Sequence, residues 1–141
     1  MTPEQARAHL AHVADRLAEL RELPLGSYEE FMSDRRNLDA ALHRVQTALQ
    51  ALIDVGGYVV ARAGVRAPSA SRDVLEVLET AGHLPPGTAK RFEPAFSFRN
   101  RIVHLYDRVD PKRVYEIVTR DLPDLEDLAR LYVAALGKLG G

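Results

Sequence analysis

Arg99, Asn100, Arg101, His104 and Tyr106 crowd into one short stretch, Phe98-Arg99-Asn100-Arg101-Ile102-Val103-His104-Leu105-Tyr106. Histidine titrates near neutral pH, so it can take and give a proton under cell conditions. Arginine is always charged, and its planar fork of donors matches a phosphate. Together they supply what metal-free RNA cleavage needs. One group removes the ribose 2′-OH proton, and cationic donors stabilise the pentavalent phosphorane. The attack is internal, so no activated water is required. The same pair can equally hold a phosphate without reacting. A plainer reading of the same residues pairs Arg99 with a carboxylate and leaves His104 and Tyr106 as core.

The spacing sets a geometric problem. On an ideal helix, residues five apart point about 140° away from each other. Arg99 and His104 then do not share a face, whereas Asn100 and His104 do. Either the segment departs from regular helix, or the long arginine wraps round, or a second subunit completes the site. The last is the expectation, because it also explains how one small domain suffices.

The elements that must position this stretch read as helices. Thr2-Pro3-Glu4-Gln5 forms a capping box, followed by the apolar stripe Leu10, Val13, Leu17 and Leu20. His9 and His12 lie one turn apart there and read as surface histidines rather than metal ligands, since no third ligand accompanies them in a recognisable spacing. Pro24-Leu25-Gly26 breaks the helix, and Ser27 with Glu30 forms a second box. Asp34 caps a long helix whose stripe runs Leu38, Leu42, Val45, Leu49, Leu52 and Val59, and such a stripe needs a long partner. Gly56-Gly57 interrupts it, which predicts a bend or a close approach by another backbone. Asp54 sits beside the stripe, either as a buried polar group or on a solvated flank.

Gly64 to Ser71 reads as a loop, and Ser71 or Ser69 can cap a short helix from Arg72 to Ala81 that Gly82 ends. After Pro85-Pro86-Gly87, Thr88 opens the segment that carries the motif, with Phe92, Phe96, Val103 and Tyr106 on one side. Pro94 should kink or restart it. Asp110-Pro111 starts a further helix that breaks or kinks near Pro123, and Leu125, Leu128, Leu131, Tyr132 and Leu136 form the last apolar face. No window alternates with period two. The expected fold is all-α, a mostly antiparallel bundle of five to six helices in one domain spanning residues 1–141.

Composition narrows the functional classes. An apolar fraction of 46% and a charged fraction of 28% are those of an ordinary globular protein. No apolar run approaches a membrane span, and Met1 to Gln5 lacks the basic and apolar regions of a signal peptide, so a cytoplasmic location is expected. There are no cysteines, hence no disulfides or thiolate metal sites, and neither a metal nor a cofactor is expected. The net charge of −1 argues against a general nucleic-acid binder. The charge is unevenly spread. From His83 to Arg113 seven Lys or Arg face three Asp or Glu, leaving +4, while the remaining 12 basic and 17 acidic residues leave −5. A basic patch on an acidic body suits a phosphate-bearing ligand held at one site.

The run Phe98 to Tyr106, followed by Asp110 and Val114-Tyr115, resembles the HEPN superfamily and within it the HepT branch. There an Arg-x(4–6)-His motif, with Asn after the Arg and Tyr two residues after the His, closes a helical bundle. Tyr28-Glu29-Glu30-Phe31 with Asp34-Arg35-Arg36, the helix from Ala40 to Asp54 and the short helix before Gly82 extend the likeness over roughly residues 3 to 130. The resemblance implies the toxin of a type VII toxin–antitoxin system, a metal-independent endoribonuclease acting as a homodimer on an RNA substrate. It implies Arg99 and His104 as catalytic residues, Asn100 as the residue that orients the motif, and Arg101 as a further phosphate contact. It implies Tyr106 as the acceptor of AMP from a cognate MntA-like nucleotidyltransferase antitoxin. Bulk and negative charge at that tyrosine would block RNA by occlusion and repulsion. The family often has an acidic residue near Gln50, where this chain has a neutral amide and Asp54 is the nearest carboxylate. Two other classes fit the same residues: a non-catalytic HEPN-type nucleotide- or partner-binding module, and a structural helical subunit whose active partner lies elsewhere.

Overall fold

The computed structural model describes residues 1–70, 73–104 and 109–140, those at 101–104 by their backbone alone. The elements are α1 (Pro3–Arg21), α2 (Tyr28–Met32), α3 (Arg35–Ala63), α4 (Val74–Thr80), α5 (Thr88–His104), α6 (Pro111–Glu116), a π-helical turn (Ile117–Asp121) and α7 (Leu122–Lys138). Among the described residues there is no strand. Because α6, the π-helical turn and α7 run on without a break, the described segments make six rods, in line with the expected all-α bundle.

The caps form largely where the side chains demand them. Thr2 accepts from the Gln5 amide at 3.1 Å while Gln5 accepts from the Thr2 amide at 2.8 Å. Ser27 accepts from the Glu30 amide at 3.0 Å, and of the second box the described bonds contain this serine half alone. Asp34 accepts from the Arg36 amide at 3.0 Å and opens α3, which Gly64 closes in the left-handed region at φ 69°. Asp110 caps α6 through the Lys112 amide at 3.0 Å. Helix α4 starts at Val74; the expected start at Arg72 and one cap candidate, Ser71, lie outside the described residues, and the other candidate, Ser69, stands five residues before Val74. Gly82, at φ 82°, lets His83 N–H reach back to the Leu78 carbonyl at 2.8 Å and so ends α4.

Helix α3 is the axis of the bundle. Its stripe, Leu38, Ala41, Leu42, Val45, Ala48, Leu49, Leu52, Val55 and Val59, is buried against residues of the other helices. Side-chain contacts fix its register with α1: Glu19 pairs with Arg44 at 2.7 Å and His9 faces Asp54 at 3.8 Å, so the two run antiparallel. Arg62 donates to the Leu139 carbonyl at 3.1 Å while Gly56 abuts Tyr132, so α7 runs parallel to α3. Tyr115 seats α6 on α2, donating to the Leu25 carbonyl at 2.9 Å with its ring 5.5 Å from that of Phe31.

At all three expected interruptions the helical path is continuous. Helix α3 is continuous through Gly56 and Gly57. The close approach at Gly56 is by the Tyr132 hydroxyl rather than a backbone, and a Cβ there would lie 2.7 Å from it. Helix α5 continues past Pro94 without restarting. The disturbance expected near Pro123 is the π-helical turn Ile117–Asp121 just before it, where the proline supplies no N–H to the carbonyls one turn back.

Candidate active site

Helix α5 carries the motif, and a remote carboxylate holds its N-terminus. The Glu79 side chain of α4 accepts from the Ala89 amide at 2.8 Å. Amides of Ala89, Gly87 and Thr88 keep its carboxyl below the ordinary range. Phe92, Phe96 and Phe98 are buried and fix the rotation of α5. That rotation leaves Arg99 half-buried toward α3 and Asn100 exposed.

The backbone is α-helical through His104, so the segment does not depart from regular helix. Arg99 instead bends sideways. Its Nη1 donates to Asn100 Oδ1 at 3.3 Å, and its Nη2 makes a close hydrogen bond to Gln50 Oε1 on α3. The guanidinium is thereby drawn toward the register position one turn before His104. Its enclosed Nε–H has no acceptor among the described residues. Among the described residues no carboxylate pairs with Arg99, contrary to the plainer reading of its role. The Arg101 and His104 side chains and all of Tyr106 lie outside the described residues.

The basic patch is narrower than its charge suggests. Arg91 is bound to Asp124 at 2.8 Å and Asp127 at 2.6 Å, and holds the Asp127 carboxyl below the ordinary range. Arg113 lies 3.5 Å from Glu116 and 3.8 Å from Asp121, whose carboxyl burial raises despite that neighbour. Arg99 differs from both. Among the described residues its partners are neutral amides, which engage two of its five donors. Such a group retains its charge and its capacity for a phosphate oxygen, a bond of about 1.5–3 kcal/mol.

Gln50 is in turn held from behind. Its Nε2 donates to Asp54 Oδ1 at 2.9 Å. Asp54 is thus a half-buried, bonded group that spans both expectations for it. His12 is exposed as expected, whereas His9 is half-buried, its Nδ1 2.8 Å from the Gln5 carbonyl and its Nε2 3.8 Å from Asp54. No group of three metal-ligating side chains occurs among the described residues. Sequence reasoning registered Gln50 only as a departure. The signal that could have found it was the four-residue spacing of Gln50 and Asp54, which stacks them on one face of α3.

A cleft of about 460 Å³ opens between α4 and α5, lined by Glu76, Lys90, Glu93, Phe96, Ser97 and Asn100 among others. Asn100 therefore joins the guanidinium to an open space of nucleotide size.

Comparison with known proteins gives the family and the fold. The family model described as Ribonuclease HepT-like matches residues 13–131, a span that contains Gln50, Arg99 and His104. The chain belongs to the HepT-like ribonuclease family. Solved structures share the HepT-like fold at low identity. A tri-AMPylated Shewanella oneidensis HEPN toxin in complex with MNT antitoxin is 19% identical, with TM-score 0.82 over 95% of this chain and 99% of that one. A toxin–antitoxin structure with AMP-PNP is 18% identical, with TM-score 0.81 over 94% and 99%. YutE, a cytosolic protein of unknown function from Bacillus subtilis, is 13% identical, with TM-score 0.83 over 98% and 92%. No curated protein sequence matches significantly. Among the described residues no helix is long and apolar enough to cross a membrane.

Proposed function

We propose that this HepT-like chain is a cytoplasmic, metal-independent endoribonuclease, the toxin of a toxin–antitoxin pair, and that residues 1–141 form its single domain. The observation that carries the reading is the Arg99 guanidinium, fixed by Gln50 and Asn100 yet, among the described residues, left without a counter-charge on the helix that ends at His104.

In the reaction, His104 takes the proton of a ribose 2′-OH. The oxygen attacks the adjacent phosphorus, forming the P–O2′ bond, and the P–O5′ bond breaks as the leaving oxygen receives a proton. The products are a 2′,3′-cyclic phosphate and a 5′-hydroxyl. Arg99 neutralises the charge that gathers on the phosphorane oxygens, Asn100 keeps the guanidinium turned toward the motif, and Arg101 adds a phosphate contact. A homodimer brings two motif segments to one cleft. Tyr106 is the acceptor of AMP from an MntA-like nucleotidyltransferase antitoxin, a reading supported by the tri-AMPylated toxin of the same fold.

The test is cleavage of RNA by purified protein in EDTA. The parent is expected to cut, and Arg99→Ala and His104→Ala to lose at least roughly a hundredfold in rate, as general acid–base and electrostatic contributions of this kind do. Equal cutting by all three sinks the assignment. The cleft beside Asn100 favours a second reading, passive binding of a nucleotide or partner. Nucleotide binding without cleavage, and undiminished growth on strong expression, would establish that one.

A further inference from the structure

We propose that Asp54 is a positioning residue for Arg99, acting through Gln50; this rests on the ribonuclease reading above. A glutamine side chain has two ends of nearly equal size, one an acceptor and the other a donor. Arg99 carries only donors and needs the oxygen. The Asp54 carboxylate only accepts, and it takes the Gln50 Nε2–H at 2.9 Å. It thereby selects the amide orientation that presents Oε1 to Arg99.

His9 lies beyond the far end. Its Nδ1 lies 2.8 Å from the Gln5 carbonyl, which can only accept, so Nδ1 carries hydrogen and Nε2 faces Asp54 Oδ2 at 3.8 Å. The order His9, Asp54, Gln50, Arg99 crosses α1, α3 and α5. A carboxylate placed directly on Arg99 would fix it as well, but would cancel its charge. An interposed amide fixes the direction of the guanidinium and leaves its charge for a phosphate. Asp54 belongs to this device although it touches neither Arg99 nor the reacting atoms.

The decisive experiment makes the same substitution in two backgrounds. In the parent, Asp54→Asn offers Gln50 a donor as well as an acceptor, so neither amide orientation is selected and the N–H groups of Gln50 can turn toward Arg99. Single-turnover cleavage is expected to fall on the order of tenfold or more, and Asp54→Glu, which keeps an acceptor, to retain most of the rate. In a Gln50→Glu background both oxygens of the introduced carboxylate accept, so Arg99 no longer depends on Asp54, and the two carboxylates repel. There Asp54→Asn is expected to be neutral or to raise the rate. Rotation of the Arg99 guanidinium, followed by ¹⁵N NMR, supplies a readout that needs no activity: slow in the parent, fast in Asp54→Asn.

An equal loss in both backgrounds, or unchanged rotation and rate in the parent background, overturns the proposal. Melting curves confirm that each variant is folded. If the parent itself fails to cut RNA, the ribonuclease reading falls, and the NMR comparison still decides the role of Asp54.

Discussion

Arg99 on α5 donates to the amide oxygen of Gln50 on α3, and this neutral acceptor anchors the guanidinium without cancelling its charge. The consequence is testable with Arg99→Lys. Lysine keeps the charge but lacks the planar fork that reaches Gln50 and Asn100 from separate nitrogens. Cleavage is expected to drop on the order of a hundredfold, while affinity for a non-cleavable 2′-O-methyl RNA, which depends more on charge, changes less. Full activity in Arg99→Lys would show that the fork geometry is irrelevant.

Gly56 and Gly57 are adjacent in sequence and opposite in consequence. A Cβ at Gly56 meets the Tyr132 hydroxyl at 2.7 Å and Val74 Cγ1 at 3.0 Å, and the Tyr132 ring is fully enclosed. Overpacking of this kind costs about 1–3 kcal/mol, more than the helix-propensity gain of about 1 kcal/mol. Gly56→Ala is therefore expected to destabilise, and Tyr132→Phe to restore part of the loss. Gly57 has nothing within 4 Å of such a Cβ, so Gly57→Ala should stabilise by about 0.4–1 kcal/mol. Chemical denaturation of the three variants checks both signs.

Glu79 ties the stability of the motif helix to pH. The Ala89, Gly87 and Thr88 amides lower its carboxyl below the unfolded value, so its contribution is present above the ordinary carboxylate pKa and is lost as pH falls through the folded one. Glu79→Gln should lower the melting temperature near neutral pH and flatten its decline between about pH 5 and pH 3. Parallel acid profiles for parent and variant would remove Glu79 from that role.

The helices and most of their caps were legible in the sequence because they follow local rules. Thr2, Ser27, Asp34 and Asp110 act on amides two or three residues away. The cap of α5 was not legible, since Glu79 reaches it across a loop. The same limit applies at the site. Arg99, Asn100 and His104 stand out as neighbours in one run, whereas Gln50 becomes the partner of Arg99 only when α3 packs on α5. His9 meets Asp54 only through the antiparallel pairing of α1 with α3. Charge counting overstated the basic patch because Arg91 and Arg113 are neutralised by acids of the last helical rod.

Regulation at Tyr106 is open to mass spectrometry. Co-expression with an MntA-type nucleotidyltransferase is expected to add AMP-sized mass to the chain and to abolish cleavage. Tyr106→Phe should carry no such mass at that position. Modification elsewhere with Tyr106 untouched would reassign the acceptor.

The most direct measurement follows one labelled RNA in EDTA, with a single 2′-deoxynucleotide placed at the mapped cleavage position. The account predicts that this bond survives while the all-ribose strand is cut to a 2′,3′-cyclic phosphate and a 5′-hydroxyl. Equal cleavage of the deoxy-substituted strand would mean that water is the nucleophile, and would contradict the assignment of Arg99 and His104 to an internal attack.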